Sequence, residues 1–105
     1  MSRAEYLKTA TPQIIAEVRM YDTANGGRTG PAFPGWGCPC MVSRMEPLVG
    51  YDALPLLGDQ PLLPGETRRL GFVFLSPENA VPVMRAEKHF YLWEGGFIGE
   101  AVVID

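Results

Sequence analysis

The chain holds one histidine, His89, and two cysteines, Cys38 and Cys40. So few soft ligands leave a tetrahedral zinc site, which needs four donors, hard to assemble. Cys38 and Cys40 flank Pro39, and at strand spacing both thiols point to one face. A disulfide between i and i+2 on one strand would be badly strained. Packed thiols are the first reading; a small metal or redox site with His89 is the alternative. Long apolar runs are also missing. Nothing approaches the roughly 18 residues of a membrane-spanning helix, so no membrane partner is expected. Residues 1–13 lack the apolar stretch of a signal peptide, which predicts a cytoplasmic protein. No G-x-x-x-x-G-K-S/T loop is present to cradle phosphates, which predicts no nucleotide binding. Positive charge is scarce: nine Lys and Arg face twelve Asp and Glu, with a net charge of −3. That balance argues against a general nucleic-acid binder, although a local basic stripe is compatible with it. Ser43 and Ser76 lack a nucleophile elbow, and Asp52, Asp59, Glu66 and Glu94 are scattered beside turns, where carboxylates satisfy backbone donors. No catalytic constellation and no cofactor are expected.

What the chain has is turn residues and alternation. Twelve glycines and ten prolines punctuate its 105 residues. Both residue types are costly inside helices and common between short strands. The length fits one domain, able to bury about 65% of the surface its unfolded chain exposes. Residues 1–12 read as a flexible lead-in and 13–105 as the folded domain. Ile14, Ala16, Val18 and Met20 alternate with Ile15, Glu17, Arg19 and Tyr21, a period of two that predicts a strand. Further strands are predicted around Cys40 to Arg44, over Val49 to Leu57 and over Thr67 to Leu75. Lys88 to Trp93 and Phe97 to Ile104 complete the set as a hairpin about Glu94-Gly95-Gly96. Pro77 and Pro82 argue against a stable helix over Ser76 to Met84. Asp22 to Gly37, rich in Gly and Pro, is long for a connection, and such loops are functional or fold back over the domain. Six strands with turns between them predict an all-β, six-stranded antiparallel barrel, which leaves no open edges.

The turn motifs, taken in order, resemble a known family. Ala16-Glu17-Val18 opens the first strand. Gly26-Gly27-Arg28 follows, then Pro31 with Phe33, Gly35-Trp36, the Pro64-Gly65-Glu66 turn and Glu94-Gly95-Gly96 with Ala101-Val102-Val103. Over Ile14 to Ile104 this order is similar to the C-terminal, third β-barrel domain of elongation factor Tu. The resemblance implies that barrel fold, here without the GTPase domain, since about a dozen residues precede the first strand. It also implies contacts with tRNA and with other proteins. Arg28 and Arg44 match family arginines, and Arg69 stands where the family carries a lysine. Thr29, Met45, Glu46 and Phe97 depart from the family pattern, Phe97 replacing an arginine.

Two sets of candidate contact residues follow. Arg28, Arg44 and Arg69, with Arg68 and Arg85 near them in type, would form either a solvated face with salt bridges to the acids or an anion-facing stripe for RNA. Trp36, Trp93 and Phe97 lie beside glycine-rich turns and would either plug the barrel or anchor a protein partner, since Trp, Tyr and Arg are favoured at such contacts. The expected function is a non-enzymatic, translation factor-like binding module with a protein partner. A module that binds tRNA is the alternative.

Overall fold

The computed structural model describes residues 2–105. Six strands form: β1 (Ile14–Met20), β2 (Cys38–Met41), β3 (Gly50–Pro55), β4 (Thr67–Phe74), β5 (His89–Trp93) and β6 (Phe97–Val103). They close into one antiparallel barrel in the order β1-β4-β3-β2-β5-β6. Closure rests on β1, which is paired on both sides: Val18 stands opposite Arg68 of β4 and Ala101 of β6. The period of two is visible in burial. Ile14, Ala16, Val18 and Met20 point inward and are buried, while Glu17 and Arg19 are exposed.

The inward residues of all strands meet in one apolar core, with no buried polar or charged side chain among the described residues. Its centre is aromatic. Phe72 of β4 and Phe90 of β5 meet edge to face at 5.2 Å between centroids, and Phe74 lies 6.5 Å from Phe90. Such pairs add about 0.5–1.5 kcal/mol beyond the area they bury. Cys38 and Cys40 both point into this core.

The long connection Asp22 to Gly37 returns to the barrel. Asp22 O accepts from the amides of Asn25 and Gly27, both at 2.9 Å. Gly27 permits this tight turn, because a Cβ there would collide with the Tyr21 carbonyl. Further on, Ala32 and Leu62 exchange two backbone hydrogen bonds of 2.8 Å and are fully buried. The turn Leu63 to Glu66 is closed by Glu66 N to Leu63 O, and Gly65 takes the positive φ of 79° that the turn requires.

Three local features differ from the sequence-based expectation. Strand β2 ends at Met41, before Arg44. Val42 N donates to Val49 O, so residues 43–48 leave the sheet as a loop. Pro77–Glu87 forms a helix, α2, where two prolines argued against one. Pro77 occupies the first helical turn, where its missing N–H costs nothing. Pro82 forfeits one bond on an exposed face, while Ala80 and Met84, four residues apart, are fully buried against the core. Lys88 then takes the left-handed conformation and donates its N–H to Met84 O, ending the helix. Burial of one helix face outweighs the lost bond. The expected lead-in also contains a helix, α1 (Arg3–Thr9), started by a capping box between Ser2 and Glu5. Its Leu7 is buried, Lys8 pairs with Asp59 at 2.7 Å, and Arg3 donates to Gly35 O at 2.8 Å.

The aromatic centre generates a direct prediction. Phe72→Ala should lower the unfolding free energy by about 3–5 kcal/mol in a denaturant titration. A loss below about 1 kcal/mol would mean that Phe72 does not sit in a packed core.

Candidate functional site

A barrel filled with apolar side chains leaves no polar chamber inside, so its polar and charged groups gather on the outer wall. One part of that wall collects chemistry. The ladder between β5 and β6 shifts register between Leu92 and Trp93. Ile98 is thereby turned inward, and Trp93 and Phe97 become partners on the outer face. Their rings meet edge to face at 5.0 Å, and Tyr91, one outward position back along β5, meets Phe97 at 6.1 Å. The two contact candidates Trp93 and Phe97 are therefore brought together, each half-buried and outside the core.

Arg44 lies on this aromatic bed. After β2 ends, the loop carries its guanidinium over three rings, with the carbon 4.7 Å from the Phe97 centroid, 5.7 Å from Tyr91 and 5.8 Å from Tyr21. Its Nη1 donates to the Tyr21 hydroxyl at 2.6 Å. Each cation–π contact contributes about 0.5–1 kcal/mol at an exposed site. Together they are comparable with the roughly 2 kcal/mol of rotamer entropy an arginine can lose. The group is held without a salt bridge. Among the described residues the ion pairs are Lys8–Asp59, Arg19–Glu100, Arg28–Glu94 and Arg68–Glu66, and Arg44 belongs to none of them.

Tyr21 links Arg44 to its neighbours. Arg19 stacks 5.3 Å from the same ring and pairs with Glu100 at 2.5 Å. Burial, then the Glu100 carboxylate, pushes the Tyr21 hydroxyl above its ordinary pKa, against the opposing pull of Arg44. Tyr21 thus stays protonated at neutral pH and keeps a hydroxyl able to donate and accept.

Arg28 and Trp36 form a second cluster. Arg28 Nε donates to Glu94 Oε1 at 2.9 Å, and Trp36 Nε1 donates to Glu94 Oε2 at 3.0 Å. The Arg28 guanidinium sits 5.4 Å from the Trp36 ring and also donates to Gly30 O. Both oxygens of Glu94 are occupied, and the long loop is clamped to the final hairpin. Partial burial pushes the Glu94 carboxyl up, but the hydrogen bonds of Trp36 and Arg28, with the charge of Arg28, outweigh it and hold its pKa below the usual range.

The three arginines expected to face an anion thus have separate surroundings. Arg28 is committed to Glu94. Arg69 stands opposite Glu17 across the β1–β4 ladder and lines another hollow beside Arg68. Arg68 is committed to Glu66 and to the carbonyls of Gln60 and Pro61, and Arg85 donates to Gln13 O. Arg44 alone of the three expected arginines joins the aromatic group. Trp36 belongs to the clamp. Arg19, Tyr21, Tyr91 and Glu100 were not singled out from sequence. The available signal was their place at outward positions of β1, β5 and β6, or for Tyr21 just past the end of β1, where long polar and aromatic side chains alternate with core residues.

Cys38 and Cys40 do not meet His89. The thiols face the core, whereas His89 is exposed at the start of β5. Burial, helped by Cys38 and by Asp52, pushes the Cys40 thiol well above its ordinary pKa, so it stays a neutral packing group. Among the described residues, no three or more His, Cys, Asp or Glu side chains are grouped to hold a metal ion. No helix is long and apolar enough to cross a membrane. No protein-family model matches this chain, and a comparison with curated proteins finds no match.

The clamp has a pH signature. A carboxylate with a depressed folded pKa stabilises the protein above its unfolded value, about 4.3 for glutamate, and that contribution is lost as pH falls through the folded value. With Trp93→Phe leaving Trp36 as the sole tryptophan, the Trp36 fluorescence should titrate with a midpoint below about 4.3. Glu94→Gln should abolish the transition. A midpoint at or above that value, or one that survives Glu94→Gln, would exclude the hydrogen-bonded clamp.

Proposed function

We propose that this barrel is a non-enzymatic protein-binding module whose contact face is the outer surface bearing Arg44, Tyr21, Tyr91, Trp93 and Phe97. The observation that carries this reading is the arginine held over rings that remain half-exposed. Tyr, Trp and Arg dominate the binding energy of protein interfaces, and side chains already fixed lose less entropy on binding. The order of the Gly26-Gly27-Arg28, Pro64-Gly65-Glu66 and Glu94-Gly95-Gly96 turns supports a translation factor-like module resembling the third domain of elongation factor Tu, working in the cytoplasm. The commitment of Arg28 to Glu94 and the net charge of −3 favour a protein partner over tRNA.

The second reading, an RNA contact, draws on the same group. Aromatic rings beside an arginine can stack bases, at about 1–3 kcal/mol per base. The two readings differ in salt dependence. Phosphate contacts weaken steeply with salt, whereas an aromatic protein contact does not.

The test uses the whole chain as bait in a nuclease-treated extract at high salt, followed by affinity measurement with the captured protein. Phe97→Ala should weaken association by about tenfold or more, the cost of losing a hot spot of at least 1.4 kcal/mol. Its unfolding free energy should fall by about 1–2 kcal/mol, the loss of half-exposed ring and cation–π contacts, because Phe97 lies outside the core. A stability loss near 3 kcal/mol, the cost of a deleted core aromatic, would make Phe97 structural and remove the reading. Retention of RNA alone from a parallel extract left untreated with nuclease at low salt, lost as salt is raised, would favour the second one.

A further inference from the structure

A hollow of about 450 Å³ opens beside Arg44. It lies between the end of β1, the turn that follows it and the start of β4, and its walls include Tyr21, Asp22, Asn25, Thr67 and Glu100. Its size is within the range of small-ligand pockets, about 300–1,000 Å³. From its charges, we propose that this hollow binds a single carboxylate presented by the partner protein, either a chain end or an acidic side chain. The proposal rests on the protein-binding reading above and names the chemistry that the partner brings to it.

Arg44 supplies the receptor for the carboxylate. Its face is occupied by the aromatic rings and its Nη1 by Tyr21. Among the described residues Nε and Nη2 have no hydrogen-bond acceptor, and Arg44 forms no ion pair with the carboxylates of Asp22 and Glu100 in the same walls. A guanidinium with free N–H groups on one edge matches the two oxygens of a carboxylate, and such charge-assisted pairs are about twice as strong as neutral ones. The rings fix the plane of the fork in advance, so little further ordering is needed.

The other walls select the kind of anion. Arg19 is neutralised by Glu100. Asp22 adds a carboxylate with no ion-pair partner among the described residues, and a Cβ on Gly65 would strike its Oδ1. Glycine at position 65 therefore makes room for it. Two cations and two anions line the hollow, so its net charge is close to zero. A dianionic phosphate would meet both Glu100 and Asp22. A monoanionic carboxylate on Arg44 is tolerated better, and the backbone N–H groups next to it in a peptide can donate to Asp22. Asn25 and Thr67 offer neutral hydrogen-bonding groups for the same peptide atoms.

The experiment is an NMR titration of the isotope-labelled full chain, following the Arg44 side-chain Nε–H and the backbone amides of Asn25 and Thr67. The probes are N-acetylglycine for a chain end, N-acetylglutamate α-amide for a side chain, N-acetylglycinamide as the neutral control, and inorganic phosphate. One or both carboxylates should shift these signals saturably at millimolar concentration, and the stronger probe identifies the source. The neutral amide should not, and phosphate should bind more weakly than the better carboxylate. Arg44→Gln should weaken carboxylate binding by about tenfold or more, the cost of losing a hydrogen bond to a charged group. Arg44→Lys, which keeps the charge without the fork, should fall between. Asp22→Asn should narrow the gap between phosphate and carboxylate. The proposal is overturned if neither carboxylate shifts these signals, if Arg44→Gln binds as well as the wild type, or if phosphate binds tightest. Loss of the carboxylate site with an undiminished effect of Phe97→Ala on partner capture would remove this inference and leave the protein-binding reading intact.

Discussion

Closure of the sheet on itself governs everything else in this molecule. Strand β1 bonds to β4 on one side and to β6 on the other, so every strand has two neighbours. No edge remains for a partner to extend by strand addition, and the interior is filled by Phe72, Phe74, Phe90 and the aliphatic residues around them. The exposed chemistry is left to the outer wall and the loops. The closed ring also has a thin place. Strand β2 has four residues, and its ladder to β5 comprises only the pairs Cys40–Leu92 and Met41–Tyr91. Both flanks of β2 are tied to the β5–β6 hairpin by arginine. Arg28, with Trp36 just before the strand, holds Glu94, and Arg44 just after the strand covers Tyr91 and Phe97.

The two ties differ in what they leave over. In the first, a carboxylate neutralises the arginine and the indole N–H completes its coordination. Nothing charged is left for a ligand. In the second, the arginine is held by ring faces and one phenol oxygen. Its charge remains available, and so does much of the aromatic surface beneath it. The first is a structural staple, and the second is the contact point we propose for a partner. Surface arginines of equal formal charge separate into two roles by the identity of their partners.

The strands were legible in the sequence because alternation is a local property. Ile14 to Met20 shows it residue by residue, and Glu94-Gly95-Gly96 marks the hairpin where a positive φ is required at Gly95. Helix α2 was not legible. Pro77 and Pro82 are visible locally, but the burial of Ala80 and Met84 that outweighs them depends on how the helix folds back onto its flanking strands β4 and β5, which no local pattern shows. The site was legible in part. Trp93 and Phe97 flank one turn, so their proximity follows from the hairpin. The pairing of Arg28 with Glu94 spans 66 residues, and no periodicity announces it. Arg44 was legible as a charged residue, whereas the Tyr21, Tyr91 and Phe97 bed that gives it a role comes from three separate strands or strand ends meeting at closure.

The central claim is that Arg44 is held on the ring faces in the free protein, before any partner arrives. Ring currents test it most directly. Protons above an aromatic face are shifted upfield, so the Arg44 Hδ signals of the free chain should lie well upfield of their random-coil positions. Phe97→Leu, which keeps an apolar side chain but removes the nearest ring, should move them most of the way back. Random-coil shifts in the wild-type chain, unchanged by Phe97→Leu, would show an arginine moving freely in solvent and would contradict the account.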